Sequence, residues 1–497
     1  MPFLHSRADA HRPGRGCRSV CRPAALLRRC SLAASFLLVS GAVFPQDALA
    51  HGIVGKADLP IPVWLFSWAA AIVLVVSFVA LASMWTRPQL QEQHLRRMFG
   101  LPVPFEWLAS LVGLALFALV IYSGFAGAQV TQANFSVTFI YVIFWVGTPV
   151  ASVLFGDVFR ALSPWRTCGR VASALLRRAR RGKDPGPLLR YPDWLGVWPA
   201  IGWIVGFAWL ELIYVERDRP STLAALSLAY FLVMLAGMAL FGVEEWVGGA
   251  DGFGVYFNLL SKLSALVRRG DGVVYGRRPL SGVTGLKIRA GTVTLICTLI
   301  GTTTFDGFSN GGIWRNNEPS LQELFADLGF HPTPALELAY SLGLVLCILV
   351  ICAIYRVGII GVHSVSKRYD EHKLLHAFAH TLVPIAFAYV LAHYFSLLIW
   401  QGQAMVYLFS DPLGNGANLL GTSSYQIDYH IISYAGIWYV QVAALITGHV
   451  GGLALAHDRA LALYPDPEEA VRSQYWMLAV MVAFTSFGLW LLSAVGT

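Results

Sequence analysis

Long apolar stretches most constrain how this chain folds. Each is close to the roughly 20 residues that a helix needs to cross a bilayer. The chain is 56% hydrophobic and only 13% charged, outside the usual range of soluble domains. Because backbone groups in lipid must be hydrogen-bonded internally, we predict an all-α, polytopic membrane helix bundle of about ten transmembrane helices. The expected spans are 62–85, 105–125, 136–156, 194–215, 221–242, 287–305, 335–355, 374–400, 432–455 and 474–494.

The N-terminal part of the chain has the pattern of a secretory signal. An arginine-rich stretch precedes the apolar run "SLAASFLLVSGAVF", and "ALA" then precedes "HG". This order of basic, apolar and small residues predicts cleavage after Ala50. We therefore expect a signal peptide over 1–50 and a single polytopic transmembrane domain over 51–497. Arg28 and Arg29 leave a twin-arginine signal open, and an uncleaved anchor is another alternative.

The net charge of +8 is distributed unevenly between the loops. Alternate loops are basic, such as "RTCGRVASALLRRARRGK", whereas "AGAQVTQANFS" and "GQAMVYLFSDPLGNGANLLGTSSYQIDYH" contain no lysine or arginine. Because basic loops stay in the cytoplasm, we predict a multi-pass protein of the cell inner membrane with a periplasmic mature N-terminus. The topology signal accounts for the charge, so no nucleic-acid partner is expected.

Histidines in two late spans are candidate metal ligands. His376 and His380 are four residues apart on one helix face, a spacing at which two imidazoles can share a metal ion. In the next span, His449 and His457 of "GHVGGLALAHDRAL" also share one side. Antiparallel packing would bring His380 level with His449. With Glu245 nearby, this inner cluster predicts a divalent metal site of the zinc or manganese class.

A second set of polar residues is expected toward the outer side of the membrane. His393 is 17 residues beyond His376, which is about 25 Å along a helix and too far for one mononuclear site. We expect His393 at the level of Asp306 in "TTTFDGFSNGG", of His430 and of the mature N-terminal residue His51. Helix–helix hydrogen bonds are an alternative role for His380, His393 and His449, and turn formation is one for Asp306.

Four stretches of the chain resemble a family of bacterial polytopic membrane proteins named fenitrothion hydrolases. They are "HGIVGKADLPIPVWLF", "TFDGFSNG", "AHTLVPIAFAYVLAHYFSLL" and "GHVGGLALAHDRAL". The resemblance implies hydrolysis of an organophosphorus triester such as fenitrothion at its P–O–aryl bond. It also implies an inner-membrane enzyme that works with a second, related subunit, and it assigns no catalytic residues.

A neutral triester is a lipophilic substrate that concentrates in the bilayer and can reach a site between helices. A metal held by the inner-cluster histidines would lower the pKa of bound water, with Glu245 or Asp306 as proton acceptor and His393 at the outer level. The same histidines leave open a protein that handles or transports copper or zinc. His380 and His449 also leave open a bis-histidine haem protein.

Overall fold

The computed structural model describes residues 63–180 and 186–494, so the predicted signal peptide and His51 lie outside the described residues. Over these ranges the chain is a bundle of helices with one small sheet. The helices are α1 (Val63–Met84), α2 (Val103–Ala126), α3 (Phe135–Phe155), α4 (Phe159–Leu162), α5 (Pro164–Ala179), α6 (Trp198–Leu212), α7 (Pro220–Phe241), α8 (Val243–Gly249), α9 (Gly252–Ser261), α10 (Ser281–Thr284), α11 (Thr292–Ser309), α12 (Gly312–Asp327), α13 (Pro332–Val365), α14 (Glu371–Phe378), α15 (Val383–Trp400), α16 (Met405–Leu408), α17 (Tyr434–Leu463), α18 (Pro467–Ser473) and α19 (Tyr475–Ala494).

Eight of the ten predicted spans contain a helical stretch long and apolar enough to cross a membrane. The other two, 194–215 and 287–305, correspond to α6, which has only 15 residues, and to α11, which is rich in threonine. The prediction of an all-α polytopic bundle is therefore confirmed for the described residues, with eight helical stretches rather than ten meeting both criteria.

Helix α11 lies at the centre of the bundle. Thirteen of its 18 residues are buried, and it packs against α6, α13, α15 and α19. A helix surrounded by protein does not need the apolar surface that lipid requires, which explains why threonines are tolerated along it. Polar side chains on α11 are thereby held inside the bundle.

Two small residues set the register between α15 and α17. A Cβ added at Gly448 would lie 2.2 Å from the Ala388 Cβ, and one added at Gly452 would lie 2.8 Å from the Thr381 carbonyl oxygen. Small residues allow such close backbone approach between membrane helices. This contact therefore fixes the relative heights of the histidines on the two helices.

The eighth predicted span is not one continuous α-helix. Between α14 and α15 the chain forms a 3₁₀ turn at Ala379–Leu382, and Pro384 occupies the first turn of α15. Proline is tolerated there because the first helical N–H groups have no intrahelical partner. The break places His380 in the turn.

A three-stranded antiparallel sheet, which the sequence analysis did not predict, lies outside the helical bundle. Its strands are β1 (Arg96–Gly100), β2 (Leu266–Arg268) and β3 (Val273–Gly276), in the order β1-β3-β2. The β2–β3 hairpin turns through Asp271-Gly272, where Gly272 has a φ of +74°. A glycine adopts this left-handed conformation without the strain that a side chain would bring.

Loops predicted to share one side of the membrane lie together. The Ala128 N–H donates to the Leu413 carbonyl at 2.8 Å, which joins two loops without basic residues. At the other end of α2, the Thr284 hydroxyl donates to the Leu90 carbonyl at 2.8 Å, which joins two of the basic loops. These contacts place loops of the same class beside each other, and which class faces the cytoplasm stays a prediction.

Candidate functional site

A carboxylate, an imidazole and a phenol meet where α11 packs against α15. His393 Nε2 lies 2.8 Å from Asp306 Oδ2, and the Tyr394 hydroxyl donates to the same oxygen at 2.7 Å. We call these three residues the Asp306 cluster. The sequence placed Asp306 and His393 at one level, and the structure brings them into direct contact.

The Asp306 cluster is nearly enclosed but remains accessible. The His393 and Asp306 side chains are only 14% and 13% exposed. His393 and Tyr394 are consecutive on α15, with ring centroids 4.8 Å apart and planes nearly perpendicular at 89°. Since consecutive helical residues point about 100° apart, the two side chains hold one carboxylate oxygen from different directions.

A small cavity of about 20 Å³ borders the His393 ring. Its polar lining comes from Thr303, Thr304 and Tyr389 together with His393. This volume is sufficient for one water molecule, which needs two to four polar partners. Because Asp306 engages Nε2 of His393, Nδ1 is the nitrogen left to exchange a proton with such a water.

Sequence reasoning missed Glu211, a second carboxylate at this level. It lies near the end of α6, where it interacts with the Trp145 side chain and is close enough to Asp306 for the two carboxylates to repel. Trp145 lies in a π-helical segment, Phe139–Gly147, inside α3, and such segments are frequent at functional sites. An isolated carboxylate in the apolar stretch "GFAWLELIYV" was the signal that could have identified Glu211.

Two histidines of the predicted inner cluster already have partners within the protein. The His376 ring packs edge-on against His372, with centroids 4.3 Å apart. His457 is buried, with Nε2 2.8 Å from the Trp85 carbonyl and Nδ1 3.3 Å from Gln474 Oε1. His457 therefore ties the chain after α1 to α17.

The other two histidines of the predicted inner cluster, His380 and His449, are buried. In the described part of the chain, Nε2 of His380 and Nε2 of His449 have no hydrogen-bond partner. His449 Nδ1 lies 2.8 Å from the Leu445 carbonyl, and its ring centroid is 6.2 Å from that of Tyr389. A Cβ added at Gly452, three residues beyond His449, would lie 2.8 Å from the carbonyl oxygen of Thr381, the residue after His380. The placement of His380 and His449 at one level therefore stays a prediction.

Glu245, the predicted inner carboxylate, is a surface residue. Its side chain is 64% exposed and lies 3.8 Å from Arg289. The neighbouring Glu244 pairs with Arg160 at 2.7 Å and with Arg166 at 2.8 Å. Burial lowers the pKa of the Arg166 guanidinium, and Glu244 opposes this effect. Glu245 thus belongs to a set of ion pairs around α8, and its own partner lies in the loop before α11.

A metal site requires several imidazole or carboxylate ligands close enough together to bind one ion. Among residues 63–180 and 186–494, no group of three or more His, Cys, Asp or Glu side chains could hold a metal ion. His430 is exposed in the loop before α17, and His376 and His457 are engaged as described. The residues do not fit the predicted zinc or manganese site as they are placed, so the metal stays a prediction of the sequence.

Comparison with known proteins adds no family assignment. No protein-family model, curated protein or solved structure matches the chain. The class that the fold and the site define is a multi-pass α-helical membrane protein with a nearly enclosed Asp–His–Tyr cluster.

Proposed function

We propose that the chain is a membrane-embedded hydrolase that cleaves the P–O–aryl bond of neutral organophosphorus triesters such as fenitrothion. The contact between His393 and Asp306 carries the proposal. An imidazole oriented by a carboxylate is an arrangement that activates a nucleophile for attack. The resemblance of four sequence stretches to fenitrothion hydrolases suggests the substrate class.

In this proposal His393 is the general base. With its Nε2 hydrogen donated to Asp306, Nδ1 accepts a proton from water as the water oxygen bonds to phosphorus. The P–O–aryl bond breaks and the aryl oxygen leaves as a phenolate. The proton then passes from His393 to this phenolate or to solvent. General-base catalysis of this kind contributes about 10²- to 10⁴-fold to a rate.

Nitrophenol release from fenitrothion by the purified protein in lipid nanodiscs tests the proposal, with the predicted related subunit supplied where it is required. We expect His393→Gln and Asp306→Asn each to lower the rate about 100-fold or more, because both remove the oriented base. His331→Gln is the matched control, since His331 is exposed just before α13, and should keep the rate. Unchanged release in both cluster variants would rule out the assigned base.

A second candidate is transport of zinc or copper, and one observation favours it. His380 and His449 each keep a buried Nε2 without a partner among the described residues, and polar groups inside membrane bundles mark ion pathways. Zinc uptake by proteoliposomes, without any nitrophenol release, would favour this candidate over hydrolysis.

A further inference from the structure

A large apolar cavity lies between α2, α3, α6 and α7. Its volume is about 500 Å³, within the range of pockets that hold small-molecule ligands. Eleven of its 26 lining residues are aromatic, and they come from several helices.

The cavity suits an uncharged ligand. None of its lining residues is Asp, Glu, Lys, Arg or His. The Trp165 Nε1–H and the Tyr230 hydroxyl both donate to the buried Asp251 carboxylate, at 2.6 Å and 2.7 Å, and the Trp209 Nε1–H donates to Ser341 at 2.9 Å. A charged group in the cavity would have to leave water without gaining an oppositely charged partner, which is costly.

The aromatic walls are held in fixed positions. The ring of Tyr230 lies 4.9 Å from Trp203 and 5.1 Å from Trp165, both nearly perpendicular. Because Asp251 anchors Trp165 and Tyr230, these rings are ordered by the fold itself. Aromatic side chains offer faces and edges against which a planar ring packs favourably.

The cavity is accessible from the lipid. Leu226 and Val233 line it, yet their side chains are 45% and 42% exposed on α7, a membrane-spanning helix. Lining residues on α7 extend from Thr222 to Val233, about 16 Å along the axis. A molecule dissolved in the bilayer can therefore enter between helices.

The cavity is separate from the Asp306 cluster. The Trp145 ring lies 4.5 Å from Phe207 on the cavity wall and itself interacts with Glu211, which is close to Asp306. Neither Trp145 nor Glu211 lines the cavity. Trp145 and Glu211 thus lie between the cavity wall and Asp306.

We propose that this cavity is a binding site for an uncharged aromatic molecule that partitions into the bilayer. This binding goes beyond the proposed hydrolysis and does not depend on it, because a ligand can occupy the cavity without reacting. A suitable probe is 4-nitroanisole, a neutral nitroaromatic ether without an ester bond, whose nitroaryl group quenches tryptophan fluorescence.

Two glycines on α6 provide a matched pair of variants. Gly206 lines the cavity, whereas Gly202 lies one turn earlier and does not line it. A Cβ added at either position meets no atom within 4 Å. Gly206→Leu should therefore place a side chain in the cavity and reduce the space for a ligand, and Gly202→Leu makes the same chemical change outside it.

Tryptophan quenching by 4-nitroanisole in nanodiscs measures the binding. We expect saturable quenching in the unmodified protein and in Gly202→Leu, and an apparent Kd raised at least about tenfold in Gly206→Leu. Thermal unfolding of both variants confirms that they are folded. Equal binding by the two variants, or only linear quenching from partition into lipid in the unmodified protein, would overturn the proposal.

Discussion

Asp306 Oδ2 receives hydrogen bonds from two consecutive residues of α15, His393 and Tyr394. Losing one partner of a nearly enclosed carboxylate costs more than one average hydrogen bond, because the remaining group stays desolvated. Tyr394 is therefore expected to stabilise the geometry of the base rather than to take part in the proton transfer.

Tyr394→Phe tests this role. The substitution removes one hydrogen bond to Asp306 while keeping the ring, and should lower the free energy of unfolding by about 1–3 kcal/mol. Tyr407→Phe is the control, because the hydrogen bond that the Tyr407 hydroxyl of α16 donates to the Gln132 carbonyl is exposed and its loss should cost less. Thermal unfolding in detergent compares the two, and equal midpoints would contradict the role given to Tyr394.

The sequence identified Asp306 and His393 individually but could not establish their contact. Each is an ionisable side chain in an apolar stretch, which marks it as a candidate. They are 87 residues apart in the chain, and their contact depends on how α11 packs against α15. The same rule applied to Glu211 would have identified that residue too, whereas its proximity to Asp306 required the fold.

At the scale of helices, the Asp458 carboxylate on α17 forms hydrogen bonds with the segment that follows α1. Asp458 accepts hydrogen bonds from Trp85 Nε1 at 3.1 Å, Gln89 N at 2.5 Å, Leu90 N at 3.2 Å and Gln91 Nε2 at 2.6 Å. Its side chain is fully buried. The Asp458 carboxylate thus satisfies donors that would otherwise be left unpaired at the end of a membrane helix.

Asp458→Ala should consequently destabilise the protein strongly. Removing the acceptor leaves several donors without a partner, for an expected loss of about 3 kcal/mol or more. The control is Asp193→Ala, because Asp193 is 94% exposed and pairs with Arg190 at 3.6 Å, a kind of contact worth about 0–1 kcal/mol. Thermal unfolding of the two variants would refute the anchoring role if their midpoints were alike.

The 3₁₀ turn interrupts the helical spacing from which the shared face of His376 and His380 was predicted. An α-helix has 3.6 residues per turn and a 3₁₀-helix about 3.0. A short 3₁₀ segment therefore rotates the side chains of the helix before it relative to those of the helix after it. His376 lies in α14 and His380 in the turn. Pro384 was visible in the sequence, but proline alone does not specify where the preceding helix ends.

At the scale of the whole molecule, the distribution of charge predicts the orientation of the bundle. The loop that contains Lys367 and Arg368 lies at the end of the bundle with the lysine- and arginine-rich loops. The long loop from 409 to 433 contains no lysine or arginine and lies at the opposite end. The Asp306 cluster lies in the half of α15 nearer that long loop, since α15 ends at Trp400. Orientation therefore decides from which side water reaches the proposed base.

Two exposed serines allow the orientation to be measured. Ser424 lies in the long loop and Ser364 near the basic end of α13, and both are exposed. In a cysteine-free background, Ser424→Cys should react with a membrane-impermeant maleimide on intact spheroplasts, because loops poor in lysine and arginine are translocated. Ser364→Cys should react only after permeabilisation. The reverse pattern would place the Asp306 cluster toward the cytoplasm, and its water and products would then exchange with that compartment.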